Sequence, residues 1–472
     1  MSRPPIPSAR PVAAAPALRR PGAGLGLGAL LAASIGVIVG QVGTVSLLQG
    51  LGLGGWGFVG AFAVAFVLAL LNAMAYAEMA LLMPQAASLS RYAEAALGHF
   101  PAILLVFAGY VAPCIFGLPA ELLLLDGVVR QALPFALPPY VVPVALVVLL
   151  AGLNIRGTDL FAKVQVPLSF TALGLLAVTA AVAWASPHGS VAAPPAGGAP
   201  LGWPPLDHQT VFLGMIALAF WVFVGSEFVT TLTREARDPQ RDLPRAMLGG
   251  LALIFGTQLA FALGTVWFVP RERLAASATP HVDYLAAVFG PAAQAWYAVF
   301  AVIASASLVN ALFAAVPRML GEMAQHGQVF PCFKRTHPRH GTPVVAVLFV
   351  ATLPLIGMAW SGGDAQAIVP LAVAAAVAYL LAYATAQLSL IVLRRRHPEA
   401  PRPYRMPGYP VTPAIAIAGM FYVMLHSAPT PEMAPQILRY TLVVLGLFSA
   451  VGACWVRFVM KKGLFEPGPP PF

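Results

Sequence analysis

Apolar residues run along this chain in long blocks, not in the short alternations of a soluble fold. Twelve blocks are long enough to cross a hydrocarbon core of roughly 30 Å as helices. They fall near residues 24–50, 55–83, 101–131, 139–155, 160–186, 208–233, 246–270, 288–323, 342–360, 365–393, 411–427 and 437–459. The strict alternation that a membrane β-barrel needs is absent. The spacing predicts an all-α polytopic membrane protein with 12 transmembrane helices.

Composition agrees. The 472 residues are 59% hydrophobic and 9% charged, whereas soluble domains average about 25% charged. Charge then orders the segments. If the N-terminus faces the cytoplasm, 23 of the 27 Lys and Arg residues fall on the cytoplasmic side, and Arg130, Arg271, Arg273 and Arg439 fall outside. That bias is the signature of an orientation with both termini cytoplasmic, expected in a bacterial inner (plasma) membrane. The basic residues form no single patch, so the net charge of +10 does not point to nucleic acid. Residues 1–23 are rich in Pro, Ala and Arg and read as a disordered cytoplasmic tail. They lack a cleavable signal, so the first helix is expected to direct insertion. Residues 461–472 form a second cytoplasmic tail. Trp56, Trp184, Trp203, Trp267, Trp296, Trp360 and Trp455 fall near predicted ends or in outer loops, as an interfacial belt requires; Trp221 alone falls near mid-membrane. Cys114, Cys332 and Cys454 have no metal or redox spacing and are expected to be packing residues. No nucleotide loop, HExxH or catalytic triad occurs, so no enzyme activity and no cofactor is expected.

Two blocks are interrupted. The first carries Gly36, Gly40 and Gly43 within Gly36-Val-Ile-Val-Gly-Gln-Val-Gly43. The sixth carries Gly225-Ser226 directly before Glu227. Breaks at the first and sixth positions match a five-plus-five repeat, in which each half supplies one discontinuous helix at the midplane. Unwound backbone can hold a polar solute that hydrocarbon rejects; the plainer reading is close helix packing through small residues. The pairing of the two favours a site built from Gly40, Gln41, Val42, Gly43, Val224, Gly225 and Ser226. Glu227 lies at membrane depth, where a carboxylate is costly and marks function by default. It has three readings: proton acceptor, partner of a cationic solute, or cap for freed backbone donors. Burial penalises its charged form, which suits proton exchange. Trp221 is placed to stack on a cationic or apolar group. Glu121, deep in the third segment, is a second candidate for a cation or proton. Tyr110 and Asn310 are mid-segment; Asn310 reads as interhelical glue or a substrate contact. Glu78, near an inner helix end, is expected to pair with a loop arginine.

Four stretches, in order, resemble the amino acid–polyamine–organocation (APC) permeases. They are Tyr76-Ala-Glu-Met-Ala-Leu-Leu-Met-Pro-Gln-Ala-Ala-Ser with Arg91-Tyr-Ala-Glu-Ala-Ala-Leu-Gly; Phe220-Trp-Val-Phe-Val-Gly-Ser-Glu with Arg237-Asp-Pro-Gln-Arg-Asp-Leu-Pro-Arg-Ala; Arg318-Met-Leu-Gly-Glu-Met-Ala-Gln-His-Gly with His337-Pro-Arg-His-Gly-Thr-Pro; and Arg402-Pro-Tyr-Arg-Met-Pro-Gly-Tyr-Pro. The resemblance implies a leucine-transporter-like 5+5 inverted repeat plus two helices. The permease domain would be 24–460, with repeats at about 24–186 and 208–393 and extra helices at about 411–459. It implies alternating access around a central site between segments 1, 3, 6, 8 and 10. Trp221 and Glu227 match positions that, in the family's arginine and agmatine exchangers, stack on substrate and form a proton-linked gate.

Two departures stand out. The family's Gly-small-Gly break is Gly40-Gln41-Val42-Gly43 here, which is expected to crowd the place where backbone N–H groups take a substrate carboxylate. Where proton-coupled members carry a lysine in segment 5, this chain has Ser169, Thr171 and Ala172. The expected function is a secondary transporter of an amino acid or organic amine, proton-coupled or exchanging. The alternative is a transporter-like sensor or partner subunit without flux, and sodium coupling through segments 1, 5 and 8 is a third possibility. The expected partners are a small-molecule substrate, protons and the lipid bilayer.

Overall fold

The computed structural model describes residues 24–86, 88–186, 209–362, 368–428 and 431–470. The expected N-terminal tail and the connector bearing Trp203 lie outside them. The helices in chain order are α1 (Leu27–Gly36), α2 (Gln41–Gly54), α3 (Trp56–Leu82), α4 (Ser90–Leu97), α5 (His99–Ala132), α6 (Val141–Ile155), α7 (Thr158–Ala185) and α8 (Gln209–Phe220). They continue as α9 (Pro239–Gly264), α10 (Arg271–Ala276), α11 (Pro280–Phe289), α12 (Ala293–Gln325), α13 (Val344–Trp360), α14 (Ile368–Arg396), α15 (Val411–Leu425) and α16 (Ala434–Cys454).

Among the described residues, 8 helical stretches are long and apolar enough to cross a membrane, and α1 with α2 make a further one, bent by 60°. Three expected spans are shorter than anticipated: α6, α13 and α15 have 15, 17 and 15 residues. At 1.5 Å per residue these cover less than a full hydrocarbon core.

The packing pairs come in twos. The first segment lies on the seventh (α1 on α9), and the second on the sixth (α3 on α8). The third lies on the ninth (α5 on α13), and the fourth on the eighth (α6 on α12). The third also lies on the tenth (α5 on α14), and the fifth on the eighth (α7 on α12). Each pair becomes its mate on a shift of five segments, as a five-plus-five repeat requires. Helices α15 and α16 pack on α14.

Local chemistry explains the irregular stretches. A π turn, Phe107–Val111, interrupts α5 just before Pro113. A proline lacks the N–H and crowds the preceding turn, so the helix widens there. In the sixth segment the sequence predicts a helix resuming after Gly225, but Ser226–Glu235 is a 3-10 helix. Three threonine hydroxyls donate to carbonyls three residues back: Thr230 to Glu227 (2.7 Å), Thr231 to Phe228 (2.8 Å) and Thr233 to Thr230 (2.6 Å). These bonds match the three-residue turn.

Hydrogen bonds brace both ends of the interrupted first segment. At one end Leu25 N–H donates to the Glu235 carbonyl (2.7 Å) and Arg237 N–H to the Leu25 carbonyl (2.9 Å), tying the start of the first segment to the end of the sixth. At the other, Arg271 donates to the carbonyls of Gly52 (2.6 Å) and Leu53 (2.7 Å), capping α2 with a cation. Trp56, Trp184, Trp267 and Trp360 are exposed, as a belt predicts, while Trp296 and Trp455 are half-buried. Cys114 is buried, as a packing residue requires, whereas Cys332 is half-buried and Cys454 exposed.

Glu78 is fully buried in α3. It pairs with Arg394 of α14 and with the loop residue Arg402, whose Nε lies 3.3 Å from Oε1, and it accepts the Met406 N–H at 2.7 Å. Glu78→Gln leaves two guanidinium groups without their counter-charge. Breaking a buried pair from one side costs about 3–5 kcal/mol. A clear fall in the thermal midpoint of the detergent-purified variant is expected; an unchanged midpoint would show that the cluster contributes nothing.

Candidate transport site

The first break spans Val37–Gly40. Helix α1 ends at Gly36 and α2 begins at Gln41, with Gly40 as an extended cap. The second break has Val224 in extended conformation and Gly225 at φ +123°. The two breaks cross: a Cβ on Gly225 would run into the Val37 side chain and lie 3.7 Å from Ile38. Only glycine accepts both the positive φ and that approach.

Between the breaks lies a cavity of about 20 Å³, lined by Val37, Ile38, Gly40, Gly43, Glu121, Trp221, Val224, Tyr379 and residues of α5 and α12. That volume holds roughly one water, so in this conformation the two breaks close tightly on each other. Trp221 lies over Gly117 of α5, where any Cβ would strike the indole, and meets Tyr379 at 6.2 Å. A larger opening of about 460 Å³ lies at the basic end, lined by Arg91, Arg234, Glu235, Arg318, Glu322 and Lys334, among others. A gap of about 10 Å³ beside Phe228 shares Thr231 and Arg318 with the wall of that opening.

Glu121 occupies the start of α2. Its Oε1 accepts the Gln41 N–H (2.9 Å) and the Ser305 hydroxyl (2.7 Å), and its Oε2 accepts the Val42 N–H (2.9 Å). The first N–H groups of a helix have no intrahelical partners and favour an anion. The Gln41 amide donates to Ser305 Oγ (2.8 Å), and its Oε1 meets the Tyr297 hydroxyl (3.2 Å), which also bonds His281 Nε2 (2.5 Å).

Glu227 lies behind Gly225 and is fully buried, but it does not line the cavity. Its Oε2 accepts the Tyr383 hydroxyl at 2.6 Å, and its Oε1 has no partner. Tyr383 belongs to a ring of tyrosines with Tyr76 (5.8 Å), Tyr379 (5.8 Å) and, through Tyr379, Tyr110 (5.9 Å). Tyr110 stands in that ring, bonded to the Tyr76 hydroxyl at 3.3 Å, outside the cavity wall. Ser226 is buried at the start of the 3-10 helix.

Three other sequence candidates sit differently from the expectation. The side chains of Gln41 and Val42 do not crowd the cavity. Gln41 turns to Ser305 and Tyr297, and Val42 packs with Ala112 and Phe116. Asn310 is not brought to the cavity either. It accepts from Asn154 (2.9 Å) and donates to Gln165 Oε1 (2.8 Å). Gln165 Nε2 in turn donates to Ser169 Oγ (2.9 Å) and Ser307 Oγ (2.9 Å), while those hydroxyls reach the carbonyls of Ala32 (2.8 Å) and Gly36 (3.1 Å) at the end of α1. This network joins segments 1, 4, 5 and 8, the interhelical role that amides serve in membranes.

The sequence candidates omit Tyr379, Tyr383, Gln165, Tyr297 and Gly117. The available signal was two tyrosines four apart in an Ala-rich span, which places them on one helix face. No group of three or more metal-ligating side chains occurs among the described residues.

Known proteins align with this chain over most of its length. A family profile described as "Amino acid permease" matches residues 25–448. The branched-chain amino acid permease BcaP of Bacillus subtilis (strain 168) is 26% identical over 434 residues, covering 85% of this chain and 86% of that protein. The methylthioribose transporter of the same organism is 24% identical, covering 86% of each. The low-affinity putrescine importer PlaP of Escherichia coli (strain K12) is 24% identical, covering 63% of this chain and 66% of its own.

Proposed function

The chain belongs to the amino acid permease family and is a multi-pass secondary transporter, and from that premise we propose that it carries an amino acid or organic amine across a bacterial inner membrane, coupled to protons. The observation that carries this reading is the crossing of two interrupted segments around one small cavity with Trp221 in its wall. Freed backbone groups and an aromatic face suit a polar solute that the bilayer rejects. The names of the relatives, which span amino acids, a putrescine importer and a methylthioribose transporter, set the range of solutes.

Alternating access follows from the tie between Leu25 and the 235–237 stretch. Helix α1 and the 3-10 stretch move as one flap at the basic end, opening the closed gap at Phe228 and Arg318 to the vestibule. The charge bias assigns that end, and both termini, to the cytoplasm. The permease domain comprises residues 24–460, with repeats divided near 186–208. Glu227 serves as the protonatable group, because it is buried and has an oxygen without a partner. Protons are favoured over sodium because the Ser169 and Ser307 hydroxyls of segments 5 and 8 accept from the Gln165 amide and donate to the Ala32 and Gly36 carbonyls of segment 1, so neutral donors hold the oxygens a cation would need.

Reconstitution into liposomes with radiolabelled amino acids and amines tests this. Uptake is expected to rise with an inside-alkaline gradient and to be unchanged when sodium is replaced by choline. Folded protein that moves none of the solutes, or that requires sodium, would overturn the reading.

A further inference from the structure

The cavity between the breaks holds a carboxylate of the protein itself. Both Glu121 oxygens are bound at the first turn of α2, one to each of two successive N–H groups, with Ser305 as a third donor. Gly40 makes the fit possible, since a Cβ there would lie 3.0 Å from Oε2. A half-helix start at membrane depth is where an anionic group of a bound solute is best held. Here that position is filled from α5, by a side chain buried completely.

The rest of the wall offers a solute carboxylate no counter-charge. Among its lining residues are Trp221, Tyr379, Leu118, Leu308 and Leu312, and none of the residues lining the cavity is Lys, Arg or His. A ligand carboxylate would lie beside Glu121 with no counter-charge, and two carboxylates sharing one site repel. An ammonium group finds the reverse: Glu121 as counter-ion, the Trp221 face for stacking, and aliphatic side chains for an apolar body.

We propose that Glu121 stands in for the carboxylate of the solute, so that the transported compound is a carboxylate-free organic amine with an apolar body, and α-amino acids are excluded. This rests on the reading of the cavity as the transport site and narrows its substrate class. Glu121 is then a specificity-determining residue: its carboxylate neutralises the ammonium of the solute and denies the α2 N–H groups to any competing anion.

Matched pairs that differ only by the carboxylate test it. Purified full-length protein in detergent is titrated with isoamylamine against leucine, and phenethylamine against phenylalanine, following thermal stabilisation and calorimetric binding. The amine of each pair is expected to bind at least about a hundredfold more tightly, since a site rejects a partner that leaves a buried charge unpaired. Glu121→Ala, which frees the α2 N–H groups, is expected to gain affinity for the amino acid of each pair and lose it for the amine, a reversal that misfolding cannot mimic. Glu121→Gln, close in shape, is expected to stay folded and lose at least about tenfold in amine affinity. Wild-type protein that binds the amino acid as tightly as its amine overturns the inference and leaves the transport reading standing. Protein that binds neither member of any pair overturns both.

Discussion

Glu227→Gln is expected to abolish the dependence of uptake on external pH while leaving the protein folded. Wild-type uptake should increase as the outside is acidified from about pH 8 to about pH 5, if a buried carboxyl must take up a proton before the site turns inward. In the structure Glu227 has one oxygen bonded to Tyr383 and one without a partner, and it is fully buried. Among the described residues no cationic side chain pairs with this carboxyl in its ring of tyrosines, so its charge state is the variable that the surrounding conformation senses. The amide of Gln keeps an oxygen for the Tyr383 hydroxyl and nearly the same volume. It cannot change charge. Uptake driven by a proton gradient should therefore fall by about tenfold or more, the order expected when a positioned proton-transfer group is lost. Downhill exchange of preloaded solute should persist. A Glu227→Gln protein whose uptake still tracks external pH would remove Glu227 from the coupling path and leave Glu121, the carboxyl that lines the cavity, as the candidate.

Gly225→Ala is expected to be among the most damaging single-methyl additions in the chain. Gly225 sits at φ +123°, where side chains are strained, at about 1–3 kcal/mol. The added methyl also meets Val37, whose Cβ lies 2.8 Å away. Overpacking of this kind costs about 1–3 kcal/mol more. Both costs fall on the crossing of the two breaks, so folded yield and transport should drop together. The double variant Val37→Ala/Gly225→Ala separates them: the steric part should be relieved and the backbone part should remain. Fluorescence-detected size-exclusion profiles and thermal midpoints of the three proteins measure this. Full recovery in the double variant would show that backbone conformation at Gly225 is not limiting.

Much of this architecture is legible in the order of the residues. The long apolar blocks mark the membrane-length helices, because the membrane selects each residue by its own polarity. The glycine clusters at 36–43 and at 225 locate both breaks to within a few residues, because glycine marks where helical backbone is dispensable. Glu78 signals its ion pair by lying near a helix end. Other features depart from the residue pattern for identifiable reasons. Gln41 and Val42 lie at the break, yet a helix starts at Gln41, so their side chains turn to Ser305 and Tyr297 and to Phe116 while their N–H groups bind Glu121. Asn310 is as polar and as central as any substrate ligand, but Asn154 and Gln165 reach it first. The 3-10 form of Ser226–Glu235 depends on three threonine back-bonds that residue-by-residue propensity does not anticipate.

The sequence by itself determined the membrane class, the order of the spans, the paired interruptions and the family. These follow from transfer free energies and backbone preferences, which act locally and add along the chain. The tertiary structure alone decided which carboxylate meets which break. Glu121 is 80 residues from Gln41, and Glu227 is 156 from Tyr383. The partner of a buried charge is set by which helix faces pack together, and periodicity in one segment carries no information about the segment opposite. Two glutamates that look equivalent in the chain therefore take different places: Glu227 keeps one oxygen without a partner behind Gly225, and Glu121 caps α2 at the centre of the cavity.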